Sequence, residues 1–349
     1  MAKLRFKPVC HSWVALHPKP KGVVQFVGGA FFGTFAPMLF YNHLLQYLYD
    51  KSYTVIILPF NFTFNHYKES FTLMREQYAL LPELVRMAIA QGDDPTVYLN
   101  PENYIWMGHS IGCKYITLLE SAIRLPEDKA ELTKFIANVL DVRGDRDNSK
   151  ACPGKYNEKT VQSVVEQLQA LREELRSFAD ASKQLVRNCM VENKAMLDDQ
   201  QNTTSIYKDL FIKGQRSVFL APVLSDTSSA IKPKPLADWI DSLGWGVQPN
   251  SCVTKNLIED SKLFNRFVLA KFKVDSIAFQ TIDWFFTNLA KPPQNLRLDL
   301  GGGHLRPLGF SFADLVVNPW FDQPLLTTAA RRNDQLENPV DQKIPALDD

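Results

Sequence analysis

The sequence predicts an α/β fold: a mostly parallel central sheet flanked by helices and interrupted by a helical cap insertion. Three observations carry this expectation. Short apolar runs alternate with amphipathic stretches at helical spacing from Val23 onward, the order that builds parallel sheets with right-handed crossovers. The composition, 45% hydrophobic and 22% charged over 349 residues, suits one large domain with insertions. The third is Gly108-His109-Ser110-Ile111-Gly112, set between a short apolar run and an amphipathic stretch. That is the strand-turn-helix context a G-x-S-x-G nucleophile elbow needs.

In chain order, residues 3–6 and 12–16 are expected as two short edge strands separated around Pro8, and residues 23–27 as a central strand. The turn Gly28-Gly29-Ala30-Phe31-Phe32-Gly33 follows. A dinucleotide fingerprint needs G-x-G-x-x-G with an acidic residue ending the next strand, whereas here the spacing is G-G-x-x-x-G and that strand ends in Leu58-Pro59-Phe60. The better reading is an oxyanion loop whose N–H groups, those of Ala30 or Phe31, point at the serine turn. Residues 40–49 read as a helix and 54–58 as a second central strand, followed by a loop with Phe60, Phe62 and Phe64 on alternate residues. Such a loop lies at the carboxyl edge of the sheet, where ligands bind.

Residues 69–90 form a long helix by their apolar spacing, the Gly92-Asp93-Asp94-Pro95 turn stops it, and the elbow strand (104–107) and helix follow. Residues 125–213 interrupt the pattern. Val161, Val164, Val165, Leu168, Leu171, Leu175, Phe178 and Leu185 make one apolar stripe there, expected as a helical cap over the site. The sheet resumes at 217–222. Residues 223–264 are a second covering segment, 267–272 and 296–300 are further strands, and a helix runs to residue 288 between them. A helix is expected near Ser311 and a loosely held tail from residue 323. The expected division is therefore 1–124 and 214–322 as the two parts of the core, 125–213 as the cap, and 323–349 as the tail.

The net charge of +1, without a basic stripe, argues against nucleic acid as a partner. Cys10, Cys113, Cys152, Cys189 and Cys252 are odd in number, scattered, and lack any C-x-x-C spacing. They predict reduced thiols in a cytoplasmic or plastid-stroma-like compartment, with neither a disulfide framework nor a metal site. No signal peptide is visible and no apolar run reaches membrane-spanning length; peripheral membrane contact stays open.

Acyl transfer needs a nucleophile, a base to take its proton and an acid to orient the base. The chain offers Ser110 after one strand, Asp275 after a later one and His304 in Gly301-Gly302-Gly303-His304 after the last. The N–H of Ile111, at the start of the elbow helix, is the second oxyanion donor beside Ala30 or Phe31. Asp226, after the preceding strand, is the alternative acid. His109 adjoins the nucleophile, but a sharp turn aims its side chain away, toward support of the loop. It is grouped with Phe32, Phe35, Phe60, Phe62 and Phe64 as a candidate for the substrate pocket.

Through the elbow, the strand-then-Asp segment ending at Asp275, and Gly303-His304, the chain resembles the α/β-hydrolase superfamily over about residues 23–321, apart from the insertions. More narrowly it is similar to a cyanobacterial and plastid branch catalogued as domain of unknown function 1350, some members of which are labelled esterase by similarity. The resemblance implies an eight-stranded sheet and ester or related acyl chemistry, with no cofactor. The aromatic residues add a small-molecule, hydrophobic ester, with an apolar acyl, lipid-like or isoprenoid-like group, as the expected substrate. The alternatives are an idle fold that binds a hydrophobic ligand or protein partner, and an acyltransferase using the same residues.

Overall fold

A computed structural model describes residues 3–122, 125–141, 152, 156–192, 215–230, 233–242, 245–261, 267–288, 297–312, 315–318 and 328–331. Eight strands form one sheet: β1 (Lys7–Val9), β2 (Ser12–Ala15), β3 (Gly22–Val27), β4 (Tyr53–Ile57), β5 (Tyr104–His109), β6 (Arg216–Leu220), β7 (Phe267–Phe272) and β8 (Arg297–Leu300). Their spatial order is β1-β2-β4-β3-β5-β6-β7-β8. β2 runs antiparallel to both β1 and β4, and every pair from β4 to β8 is parallel. This is the α/β-hydrolase architecture, with β5 in the middle carrying the elbow at its carboxyl end.

The central strands are those read from the sequence, because a strand covered on both faces must be apolar along its length. Two details at the amino terminus differ. β1 begins at Lys7 rather than residue 3, and Pro8 lies inside it, opposite Trp13. Proline is tolerated there because β1 is an edge strand and needs no second ladder. The helix expected over 40–49 is two pieces, α1 (Pro37–Phe40) and α2 (Asn42–Asp50). The long helix α3 (His66–Gln91) starts three residues earlier than expected, where the Asn65 side chain accepts from the Lys68 N–H, and stops at Gly92 with φ +73°.

One face of the sheet packs on α3, the elbow helix α4 (Ile111–Ala122) and the helices beyond them. Phe71, Met74, Leu81, Trp106, Ile116 and Phe219 lie in that core. The other face packs on α2 through Val24, Phe26, Leu45, Ile57 and Met107. Of the insertion, α5 (Lys129–Val139) and α6 (Glu158–Glu192) are described. The stripe of α6 is buried at Val161, Val164, Val165, Leu168 and Leu175, but Phe178 and Leu185 are exposed and Ala179, Ser182 and Val186 take over the seam. A stripe written at fixed spacing drifts around a straight helix of this length, and the seam follows the small residues. Ser182 donates to the Tyr78 carbonyl at 2.6 Å and Arg75 pairs with Glu174 at 2.5 Å, so α6 lies along the outer side of α3. The described helices of the insertion thus thicken the helix layer.

Three further expectations are corrected. Cys152 and Cys252 form a disulfide, with Cα atoms 5.4 Å apart across 100 residues of sequence, so the cysteines are not all reduced. Spacing could not signal this pair, because the fold alone brings the insertion against α9 (Ser251–Ser261). In place of a helix near Ser311, β9 (Phe310–Phe312), β10 (Leu315–Asn318) and β11 (Thr328–Arg331) make a small antiparallel sheet. The alternating Phe-Ser-Phe and the run Leu-Val-Val favour strand over helix. Since β11 lies beyond residue 323, that part of the tail is held by pairing to β10.

Two smaller helices, α7 (Thr227–Ala230) and α8 (Lys234–Ser242), precede α9 in the second covering segment, and α10 (Phe279–Asn288) follows β7. Of the expected cap, residues 142–151, 153–155 and 193–213 lie outside the described residues, as do residues 323–327 and 332–349 of the expected tail.

Candidate active site

The elbow is built by the crossing of β5 into α4. Ser110 takes φ +54°, a left-handed conformation a serine avoids unless its surroundings over-determine it. Here its N–H donates to the Leu220 carbonyl at 3.0 Å and its carbonyl accepts from Val223 at 3.2 Å and Cys113 at 3.1 Å. Gly112 lets the helix approach β3: a methyl group there would collide with the Val27 and Gly28 carbonyls.

The structure brings Ser110, Asp275 and His304 together from three separate strand ends. Ser110 Oγ lies 3.0 Å from His304 Nε2. His304 Nδ1 lies 3.0 Å from Asp275 Oδ2 and 3.2 Å from Oδ1. With the carboxylate accepting from Nδ1–H, the Nε2 of a neutral ring is an acceptor that faces the Ser110 hydroxyl. Both Asp275 and His304 are buried. Burial pushes the Asp275 carboxyl up, but the hydrogen bond and charge of His304 and the Ala278 and Ile277 N–H groups outweigh it, and the net shift is downward.

The loop that carries His304 is tied down despite its three glycines. The Gly302 carbonyl accepts from Val274 at 3.0 Å, and the Leu300 carbonyl accepts from Lys273 at 3.0 Å, so the loops that carry Asp275 and His304 are stitched together by backbone.

The glycine-rich loop after β3 lies against the elbow: a methyl group on Gly29 would sit 3.4 Å from Ser110 Cβ. Within it, the Gly29 carbonyl accepts from Gly33 at 2.7 Å and the Phe31 carbonyl from Phe35 at 3.1 Å. These bonds use carbonyls and leave the N–H groups of Ala30 and Phe31 out of the loop's own bonding. Ile111 is the first residue of α4, where an N–H has no acceptor inside the helix.

The pocket candidates separate. Phe60 is buried against the Tyr115 ring, centroids 5.0 Å apart, and His109 is buried beneath the elbow, so neither presents a surface to a ligand. Phe32 is half-buried and packs edge-on to Phe40, and Phe64 is also half-buried. Phe31, Phe35 and Phe62 are 60%, 67% and 66% exposed, and the first two have ring centroids 5.1 Å apart.

Asp226 serves elsewhere: its Oδ1 accepts from the Ser251 N–H at 2.5 Å at the start of α9, and its charge acts on Lys114. Lys114 was not singled out from sequence. Its ammonium is fully buried on the elbow helix and donates to the Ser225 and Pro249 carbonyls, each at 2.7 Å. Burial pulls it down to about 7 against the opposing effect of Asp226. It ties the loops after β6 and before α9 to the helix that carries Ser110. Tyr41, which reads as packing within the expected helix, has its Oη 2.7 Å from His109 Nδ1 and accepts there from the Gly29 N–H at 2.9 Å.

No curated protein matches the chain. Among solved structures, the thermophilic esterase Est2 of Thermogutta terrifontis is similar at 12% identity and a TM-score of 0.39, covering 90% of this chain and 86% of that one. The carboxylesterase Cest-2923 of Lactobacillus plantarum WCFS1 is similar at 9% identity and a TM-score of 0.40, covering 86% and 84%. Esterase B of Lactobacillus rhamnosis is similar at 10% identity and 0.35, covering 84% and 69%. The chain has the α/β-hydrolase fold, and its residues 5–144 match the family described as "Protein of unknown function (DUF1350)".

Proposed function

We propose that the protein is a serine hydrolase that cleaves an ester through an acyl-enzyme. The observation that carries this reading is the continuous hydrogen-bonded line from Ser110 Oγ through the His304 ring to Asp275, at 3.0 Å on each side of the imidazole. In the proposed cycle His304 Nε2 takes the Ser110 proton as Oγ attacks the ester carbonyl, and Asp275 stabilises the imidazolium. The N–H of Ile111 and that of Ala30 or Phe31 bind the oxyanion, helped by the positive end of α4. The imidazolium then protonates the leaving alcohol, and water activated by His304 releases the acid.

A small ester with an apolar acyl group is the proposed substrate. Exposed Phe31 and Phe35 on the loop beside the elbow, and Phe62 on the β4–α3 loop, support that preference. The test is reaction of the full chain with a fluorophosphonate probe, and hydrolysis of nitrophenyl esters of increasing chain length, beside Ser110→Ala. Labelling at Ser110 and hydrolysis lost in the variant are expected. A folded but unlabelled wild type, or equal rates in the two proteins, would overturn the esterase reading; rates indifferent to chain length would remove only the apolar preference.

A further inference from the structure

His109 adjoins the nucleophile, takes no part in the proposed chemistry, and is 1% exposed. Its Nε2 lies 2.9 Å from the His304 carbonyl oxygen. A carbonyl can only accept, so Nε2 carries the proton, and in a neutral ring Nδ1 is then an acceptor. Nδ1 lies 2.7 Å from Tyr41 Oη, which must donate to it, and Tyr41 Oη in turn accepts from the Gly29 N–H at 2.9 Å. Every proton in this chain has one place to be: Gly29 N–H to Tyr41, Tyr41 O–H to His109, His109 N–H to the His304 carbonyl. The arrangement demands a neutral His109, and burial, followed by the charge His304 can carry, pulls its ring down to about 3. Burial likewise pushes the Tyr41 phenol up, so it stays a donor.

The line starts on the loop proposed to bind the oxyanion and ends on the main chain of the proposed base. The base loop is held from one side by the Gly302 carbonyl accepting from Val274. His109 holds it from the other, at the residue whose ring faces Ser110. We infer that Tyr41 and His109 are positioning residues: they fix the His304 main chain, and so its ring, relative to Ser110, and fix the Gly29 loop to the same frame. This inference rests on the esterase reading above.

The experiment compares wild type, Tyr41→Phe, His109→Phe and His109→Gln as full chains on nitrophenyl butyrate, with rates divided by the fluorophosphonate-reactive fraction. Misplacing a reacting group by about 1 Å costs roughly a hundredfold, so Tyr41→Phe and His109→Phe are expected to lower kcat by roughly ten- to a hundredfold with KM nearly unchanged. His109→Gln, whose amide can donate to the His304 carbonyl and accept from Tyr41, is expected to recover part of the loss. In Tyr41→Phe the Gly29 amide loses its acceptor, and its hydrogen exchange is expected to quicken. Wild-type kcat per reactive site in Tyr41→Phe and His109→Phe would overturn the inference and leave the esterase reading intact. An inactive, unlabelled wild type would overturn both. If His109→Phe does not fold, Tyr41→Phe, which removes a single oxygen, decides alone.

Discussion

Asp275 Oδ1 accepts from the Ile277 and Ala278 N–H groups at 2.9 Å each and lies 3.2 Å from His304 Nδ1, while Oδ2 lies nearer that nitrogen, at 3.0 Å. The two backbone bonds fix the carboxylate plane, and with it the aim of the oxygen nearest the imidazole. Asp275→Asn keeps the shape but sets an amide where an acceptor is needed, which favours the wrong imidazole tautomer. A loss of about 10⁴ in kcat is expected by analogy with the same change in a well-studied triad. Ester hydrolysis by the variant checks it, and a loss under tenfold would show that Asp275 does not orient the base.

The same carboxylate gives a pH signature in stability. Its folded value is held below the ordinary 3.8, so its contribution is fully present above that value and is lost as pH falls through the lower folded one. The stability gap between wild type and Asp275→Asn, measured by urea unfolding, is expected to narrow as pH drops below about 4.

The central strands, the elbow and the order of serine, acid and histidine were legible because each is written locally: an apolar run, a turn flanked by glycines, an acid and a histidine just past strand ends. What was not legible depends on contacts between distant segments. Nothing around Cys152 or Cys252 points at the other, since their proximity follows from where the insertion docks. Tyr41 looks like any packing aromatic until β3 and β5 pair and bring Gly29 and His109 to either side of its hydroxyl. Asp226 and Asp275 both follow strands in the sequence; chain order favours Asp275, and it is the Asp275 carboxylate that lies against His304 while Asp226 accepts from Ser251. The β9–β11 sheet was missed because three short strands that pair only with one another carry weak individual signals.

The disulfide closes a 100-residue loop, for which chain entropy gives about 4–5 kcal/mol of stabilisation. Cys152→Ser/Cys252→Ser is therefore expected to unfold at clearly lower urea than wild type, and a reductant is expected to move wild type, but not the variant, to the same midpoint. Coincident midpoints before reduction would show that the bridge adds nothing.

Ser110 holds its left-handed backbone at a cost of about 1–3 kcal/mol, which glycine avoids. Ser110→Gly is expected to be inactive and more stable than Ser110→Ala, which keeps the strain, by about 1 kcal/mol. Equal stabilities by thermal unfolding would mean that the turn stores no strain worth relieving.

Two buried charges on α4 pull stability in opposite directions as pH rises. Burial pushes the Glu120 carboxyl, which accepts from Ser217 Oγ at 2.8 Å, up from 4.5 to about 8. The folded state therefore binds the proton that the unfolded chain gives up, and this group costs stability progressively between those two values. Lys114 has the reverse sign. With a folded value near 7 against 10.5 unfolded, the folded state carries fewer protons above pH 7, and stability is regained as pH climbs toward 10.5. Glu120→Gln retains an acceptor for Ser217 and removes the carboxyl that would have to ionise. It is expected to match wild type near pH 4 and to exceed it by a few kcal/mol at pH 8 and above. Urea midpoints of the two proteins at pH 4, 6 and 8 test this, and parallel pH profiles would mean that water reaches Glu120 and solvates its charge.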